Sequence, residues 1–494
     1  LADAKPYLEW TTEKQPEFSP ARRLYFDAPQ KAGEQLVSMI PLKDMTTEDE
    51  VFTRFRIGFG NKAPAKVIVQ ALMTAVDSRH NINNAVWVMG CSDYIRQTGD
   101  LEFLKHQVGR MRKALRYAMD EFQTLENGCV NTPWRGHDGR SGVIYQDGKK
   151  VIRPGFGVGN NYWDLLPFGG KDFQATIWLC TALERLADLE DAIAGHPEWG
   201  IASGMNPAEL RAHVEQMRGA AQNIFWNKKT GRFVSAVDVD GDAHDYGFAV
   251  LNLDAVSSGM ATPDQERSIL NWISGKRIVE GDTSVGDDIY RWRFGPRATT
   301  LRNTNYYSSV WSAPETLPFG DQVQDGGAVL GFSYYDLMSR LKVYGPDDAW
   351  ARLKEILVWY REVQAEGGVR AYYQKPGRGS LQGGGTAGGL GIDQEFMESA
   401  LLPQVMLYGF MGFDPRLDGF ALDPHLPGSW PSLKLTDIAF QGGVYDFFVD
   451  REQVVITMKS GVPRTLMLDL DGSKNEIKLE PGMTQQLNRT KGNQ

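Results

Sequence analysis

The chain has 494 residues, 42% hydrophobic and 23% charged. That composition excludes a disordered or collagen-like chain, and at about 150 residues per domain it leaves room for roughly three domains or one large one. The 53 basic against 62 acidic side chains give a net charge of −9, which argues against nucleic acid and anionic membrane as partners, because both are polyanions.

Residues 1–60 hold no sustained period and read as an irregular or partly β N-terminal segment. The chain opens at Leu1 without an apolar leader core, so no targeting signal is visible; a periplasmic or secreted location follows only if a leader has been removed. From about residue 61 helical spacing takes over. Leu104, Val108, Met111, Leu115, Ala118 and Phe122 recur on one helical face, as do Phe173, Ile177, Cys180, Leu183 and Ala187. Leu210 to Ile224, Leu330 to Leu341 and Trp350 to Tyr360 repeat the pattern. In 345-GPDDAW-350, glycine ends one helix and proline with two aspartates opens the next. Long Gly-, Pro- and Asn-rich connections separate these helices, with no strands expected between them, and the lack of strand–helix alternation excludes a doubly wound sheet. The most apolar stretch, Ser399 to Phe413, is too short for a membrane span and contains Pro403 and Gln404. Beyond it come runs of β-formers: Leu433 to Phe440, Val444 to Asp450, Val454 to Met458, Thr465 to Leu470 and Glu476 to Leu479. The organisation read from the chain is an N-terminal segment (1–60), a helical body (61–413) and a small all-β C-terminal domain (414–494).

Three cysteines, Cys91, Cys129 and Cys180, are too few and too far apart for a metal cluster or disulfide framework. No metal and no cofactor is expected. The glycines of 155-GFGVGN-160 are wrongly spaced for a dinucleotide loop, and 377-GRGSLQGGGTAGGLG-391 lacks the Gly-Lys-Ser/Thr ending of a phosphate loop. What remains is carboxylates in aromatic, glycine-rich loops, and such loops suit sugars, whose C–H faces stack on rings. In 160-NNYWDLLPFGGKDF-173, Asp172 reads as a helix N-cap. Asp164, beside Tyr162 and Trp163, is a carboxyl that partial desolvation suits to general-acid work, or one that only bonds loop backbone. In 391-GIDQEFMESALLPQ-404, the helix is expected to begin near Ser399, with Pro403 close to its first turn and Asp393, Glu395 and Glu398 on the loop that feeds it. There ionised carboxylates are favoured, as a general base requires. Trp134, Arg135, His137 and Asp138 in one loop and Asp325 in another suit sugar hydroxyls, and serve equally as turn residues.

The order of these features resembles the six-hairpin glycosidases: a Tyr-Trp-Asp loop before a long helix, 225-FWNKKTGRFVSAVDVDG-241, a glycine loop before the last helix, and a β region opened by 415-PRLDGFALDPHLPGSWPSL-433. The resemblance covers about 60–480 and is to processing α-glucosidase, trehalase, α-L-rhamnosidase and bacterial amylo-α-1,6-glucosidase-like glycoside hydrolases. It implies a mainly α (α/α)6 toroid with a small C-terminal β domain, and an inverting exo-glycosidase acting on oligosaccharide or glycoside substrates. Trp163-Asp164 matches the Trp-Asp that carries the general acid in the processing α-glucosidase and trehalase branch. The tract 371-AYYQKPGRG-379 holds no carboxylate where that branch has its base; Glu395 and Glu398 are the nearest substitutes. Alternatives are a glycoside phosphorylase, which needs basic residues such as Lys171, Arg378 or Arg135, a catalytically silent sugar-binding protein, and a polysaccharide lyase relying on Tyr372 and His137.

Overall fold

The computed structural model describes residues 80–133, 138–139, 143–146, 149–152, 161–163, 165–307, 314–382, 388–392 and 396–489. Residues 1–60, Asp164, Glu395, Asp393, Trp134, Arg135 and His137 therefore lie outside the described residues. Among those described, the helices are α1 (Asn83–Thr98), α2 (Leu101–Glu121), α3 (Thr124–Asn127), α4 (Phe173–Gly195), α5 (Pro207–Ile224), α6 (Ala249–Ser257), α7 (Pro263–Ile273), α8 (Ser333–Val343), α9 (Pro346–Ala365) and α10 (Val369–Tyr373).

The helices form antiparallel hairpins in two layers. Each of α1/α2, α4/α5, α6/α7 and α8/α9 packs as a pair, and the first members also pack on one another: α1 on α4, α4 on α6, α6 on α8, and α8 on Val405–Phe410. Sequence decides the layer. Every residue from Ala249 to Val256 of α6 is buried, and α4 buries residues all round its axis, as a helix covered on all sides must. In α2 and α5 one face suffices: Leu104, Val108, Met111 and Leu115 in the first, Leu210, Val214, Met217 and Ala221 in the second. The core is thus a mainly α-helical arrangement of hairpins of the (α/α) toroid type.

The boundaries follow local chemistry. Asp172 accepts from Ala175 N at 3.0 Å and caps α4. Gly345, at φ +85°, separates α8 from α9, and Pro346 opens α9. Two expectations are corrected. Strands do occur between the helices: Val130–Thr132, Gly170–Asp172, Ala236–Val237 and Ala243–His244 form a four-stranded sheet. They are two or three residues long, below what a period of two can reveal. The last helix is not an α-helix starting at Ser399. It is a 3₁₀ helix, Met397–Gln404, running into a π turn, Val405–Phe410, with Pro403 inside the first. Proline has no N–H to donate and its ring meets the carbonyl four residues back, which displaces the α-helical register.

After Phe410 the chain is β. Phe413–Pro415, Gly419–Leu422, Arg464–Leu470 and Ser473–Leu479 make one sheet; Ser432–Phe440, Gly443–Asp450, Gln453–Ser460 and Thr484–Asn488 make the other. Tyr445, Phe447 and Val449 alternate inward, as do Val454, Ile456 and Met458. The sheets meet through Phe413 and Phe420 of one and Phe440 and Phe447 of the other, with ring centroids 5.5–5.6 Å apart across the interface. The C-terminus of α1 is bonded to this region: Arg96 pairs with Asp414, and Gln441 N donates to Gln97 O at 2.8 Å. No helix among the described residues is long and apolar enough to cross a membrane.

Candidate active site

Residues 161–163 and 165 are each fastened. Asn161 donates from Nδ2 to Asp172 Oδ2 at 3.0 Å, and its Oδ1 accepts from Trp163 N at 2.8 Å. Asn81 Nδ2 reaches the same Asp172 oxygen at 2.8 Å. Asp172 is fully buried, and desolvation raises its carboxyl to about 6 despite these donors. The ring of Trp163 packs against Phe248 at 4.4 Å and Phe332 at 5.5 Å. Leu165 N donates to Gln324 Oε1 at 3.0 Å. The residues flanking position 164 are thus tied to the start of α4, to the 319–329 loop and to the turn that precedes α8.

Tyr162 makes the longest link. Its hydroxyl donates to Glu398 Oε1 at 2.7 Å across 236 residues of sequence. The loop of the proposed acid and the segment of the proposed base therefore meet through side chains. Glu398 sits in the first turn of the 3₁₀ helix, not on a loop before it. Its backbone lies directly on Gly331, where a Cβ would stand 2.2 Å from Glu398 O, so only glycine permits this approach.

A third carboxylate joins this group. Asp254, on α6, accepts from Gln174 Nε2 at 2.8 Å and Trp178 Nε1 at 2.9 Å, both on Oδ2. Burial raises its carboxyl to about 6, with the two donors opposing. Tyr335 of α8, a helix that packs on both α6 and the Met397–Gln404 segment, is raised above the normal phenol range first by burial, then by Asp254, Tyr334, Glu398 and Tyr162. Tyr162, Trp178, Tyr335 and Glu398 all remain partly exposed.

Other expected residues fall elsewhere. Asp325, expected to meet sugar hydroxyls, is 1% exposed. It accepts from Asn303 N, Asn303 Nδ2, Tyr307 Oη and Thr299 Oγ1, so it shapes its loop from within. Asp138 is buried and holds Val239 N through its carbonyl. Lys171 occupies the middle of the strand Gly170–Asp172, whose outer two residues are buried, so its side chain leaves by the face opposite Asp172. Arg378 donates to Glu366 Oε2 at 2.7 Å and stacks 3.9 Å over Tyr372. No cluster of metal-ligating side chains occurs among the described residues.

Sequence reading passed over Asn161, Gln324, Trp178, Tyr335 and Asp254. For Asp254 a signal existed: it is the sole carboxylate in the apolar run 248-FAVLNLDAVSSGM-260, and a lone carboxylate inside a fully buried helix needs partners or a task.

Residues 413–476 match the family described as Glycosyl hydrolase family 65, C-terminal domain. Among curated proteins, none matches this chain. Solved structures similar to it include the GH78 family rhamnosidase of Bacillus sp. GL1, at 11% identity and TM-score 0.43, covering 89% of this chain and 38% of that one. Another is the α-L-rhamnosidase from Dictyoglumus thermophilum, at 9% identity and TM-score 0.39, covering 92% and 45%. A third is a putative kojibiose phosphorylase from human microbiome, at 13% identity and TM-score 0.30, covering 82% and 49%. The chain spans less than half the length of each.

Proposed function

We propose that the protein is a carbohydrate-acting enzyme of the six-hairpin glycosidase superfamily, and within it an inverting exo-glycosidase acting on an oligosaccharide or glycoside, with α-glucosidase-like chemistry favoured. The observation that carries the proposal is the 2.7 Å bond from Tyr162 to Glu398. It brings a Trp-Asp loop and an acidic segment, far apart in sequence, to one partly exposed, aromatic-lined place. The match of 413–476 to a glycosyl hydrolase C-terminal domain supports the same class.

In this reading Asp164 is the general acid. Its proton passes to the glycosidic oxygen as the bond to the anomeric carbon breaks. Glu395 is the base: it takes a proton from water as the water oxygen bonds to that carbon from the opposite face. Glu398, held by Tyr162, fixes the segment that carries the base. Tyr162 offers aromatic surface to the sugar ring, and Trp163, expected to do the same, is buried against Phe248 and Phe332 and holds the loop instead. The helical body is taken as 61–413 and the β domain as 414–494.

Phosphorolysis needs basic groups where the water would stand. Of the residues that would supply them, Arg378 is committed to Glu366 and Tyr372, Lys171 leaves by the other face of its strand, and Arg135 lies outside the described residues. The test is incubation with a panel of aryl glycosides and oligosaccharides, with and without phosphate, followed by proton NMR of the first-formed sugar. Free sugar of inverted configuration is expected. Sugar phosphate would assign a phosphorylase, an unsaturated ultraviolet-absorbing product a lyase, and retained configuration would overturn inversion. Sugar binding without any product would identify a silent binding protein.

A further inference from the structure

We propose that Asp254, Tyr335 and Trp178 form a sugar subsite inside the ring of first-layer helices, in which Asp254 Oδ1 accepts a hydroxyl of the substrate. The proposal rests on the carbohydrate reading above and adds to it a set of residues that the acid and base assignments do not use.

The argument begins with a carboxylate whose two oxygens are treated differently. Asp254 is 7% exposed, and burying a carboxylate is costly unless its lone pairs are satisfied. Oδ2 is satisfied twice, by Gln174 and Trp178. Among the described residues no donor reaches Oδ1. A carboxylate that only braced helices would gain by spreading its donors over both oxygens. Here both donors hold one oxygen and turn the other away from them, which is the arrangement of a positioned acceptor.

The surroundings identify what it accepts. Tyr335 stands on α8, which packs against α6, the helix of Asp254, and against Met397–Gln404, the segment of Glu398, and its hydroxyl makes no hydrogen bond to the described residues. A phenol can donate to one hydroxyl and accept from another. Trp178 spends its indole N–H on Asp254, stands edge-on to Tyr162 at 6.5 Å between ring centroids, and remains partly exposed. A carboxylate acceptor, a two-way phenol and an aromatic ring match the alternation of hydroxyls and C–H faces on a pyranose. A cation would want several oxygen donors converging, and no such group occurs among the described residues. An apolar ligand would leave Oδ1 unsatisfied. The three residues come from α4, α6 and α8, consecutive members of the first layer, so the subsite is held by packed helices and not by loops.

The test measures binding, so it does not depend on turnover. Tryptophan fluorescence and calorimetry are followed with D-glucose, D-mannose, D-galactose and L-rhamnose, each offered separately to the full chain. At least one should bind saturably. In Asp254→Asn the amide oxygen can keep the Gln174 and Trp178 bonds while the NH₂ replaces Oδ1. Its affinity should fall about 10-fold or more, the range of a lost charge-assisted hydrogen bond, with a melting temperature no lower than wild type. Tyr335→Phe, which removes only a hydroxyl, should weaken the same sugar by roughly 3- to 10-fold, and carries the test if the first variant does not fold. Binding of none of the four sugars, or wild-type affinity in either folded variant, overturns the subsite. Sugar binding that depends on Asp254 without glycoside cleavage would leave the subsite standing and remove the hydrolase reading; cleavage that ignores Asp254 would do the reverse.

Discussion

At the scale of single residues, the decisive contrast is between carboxylates that are spent and carboxylates that are not. Asp325 has four donors and is 1% exposed, and Asp172 gives both oxygens to a helix cap and two amides. Chemistry needs a proton that can be given or taken, so such residues are poor candidates. Asp164→Asn should lower turnover of a natural glycoside by about 10²- to 10⁴-fold, while an activated aryl glycoside, whose leaving group scarcely needs protonation, should lose much less. Normal turnover of the natural substrate in that variant would remove Asp164 as the acid. For the base, azide added to Glu395→Ala should yield a glycosyl azide of inverted configuration, because a small anion takes the vacated place. Rescue confined to Glu398→Ala would transfer the role to Glu398.

At the scale of elements, the site depends on how closely two short segments approach. Gly331 lies against the backbone of Glu398 with no space for a methyl group. Gly331→Ala must therefore push Met397–Gln404 away from the start of α8, at about 1–3 kcal/mol, the usual range for overpacking. The shift also lengthens the Tyr162–Glu398 bond. Activity should fall by more than the loss of stability accounts for when both are compared at a temperature where the variant is fully folded; parallel loss of the two would contradict this. Arg297 shows similar bracing of the neighbouring loop. Its guanidinium lies between the rings of Trp292 and Phe319, at 4.7 and 4.9 Å, and donates to Gly326 O at 2.6 Å. Arg297→Lys loses the planar stacking and the fork of donors, so thermal melting with turnover should show the 319–327 loop loosened and KM raised.

At the scale of the whole molecule, two buried carboxyls set part of the pH response. Asp172 and Asp254 are both raised from 3.8 to about 6 by burial. The unfolded chain releases these protons near pH 4 while the folded chain keeps them to about pH 6, so folding stability falls as pH rises through that window. At 1.36 kcal/mol per unit the effect is at most about 3 kcal/mol for each group. Asp254→Asn removes one of them. Urea denaturation should find the variant gaining on wild type between about pH 4 and pH 7, with the two alike at the acid end. A constant difference across that range would show that Asp254 does not titrate there.

What the sequence determined by itself was whatever repeats locally: the spacing that makes α2, α4, α5, α8 and α9, the Gly345–Pro346 break, the Asp172 cap, and the alternation that builds the long strands from Ser432 to Leu479. A helix or strand of that length states its buried face several times over, and its caps are chemical events within one turn. The short strands, the edge strands Phe413–Pro415 and Thr484–Asn488, and the 3₁₀ and π turns around Pro403 offer too few repeats to be read. Loop composition pointed to the Tyr162–Trp163 and Glu398 segments, and tertiary structure decided which of their neighbours were available. Asp325 and Asp254 are both aspartates whose sequence neighbours do not show whether they are free or spent. The first is enclosed by Asn303, Tyr307 and Thr299, and the second is held on one oxygen by donors from α4. That difference is set by residues tens of positions away, and only folding brings them into hydrogen-bonding distance.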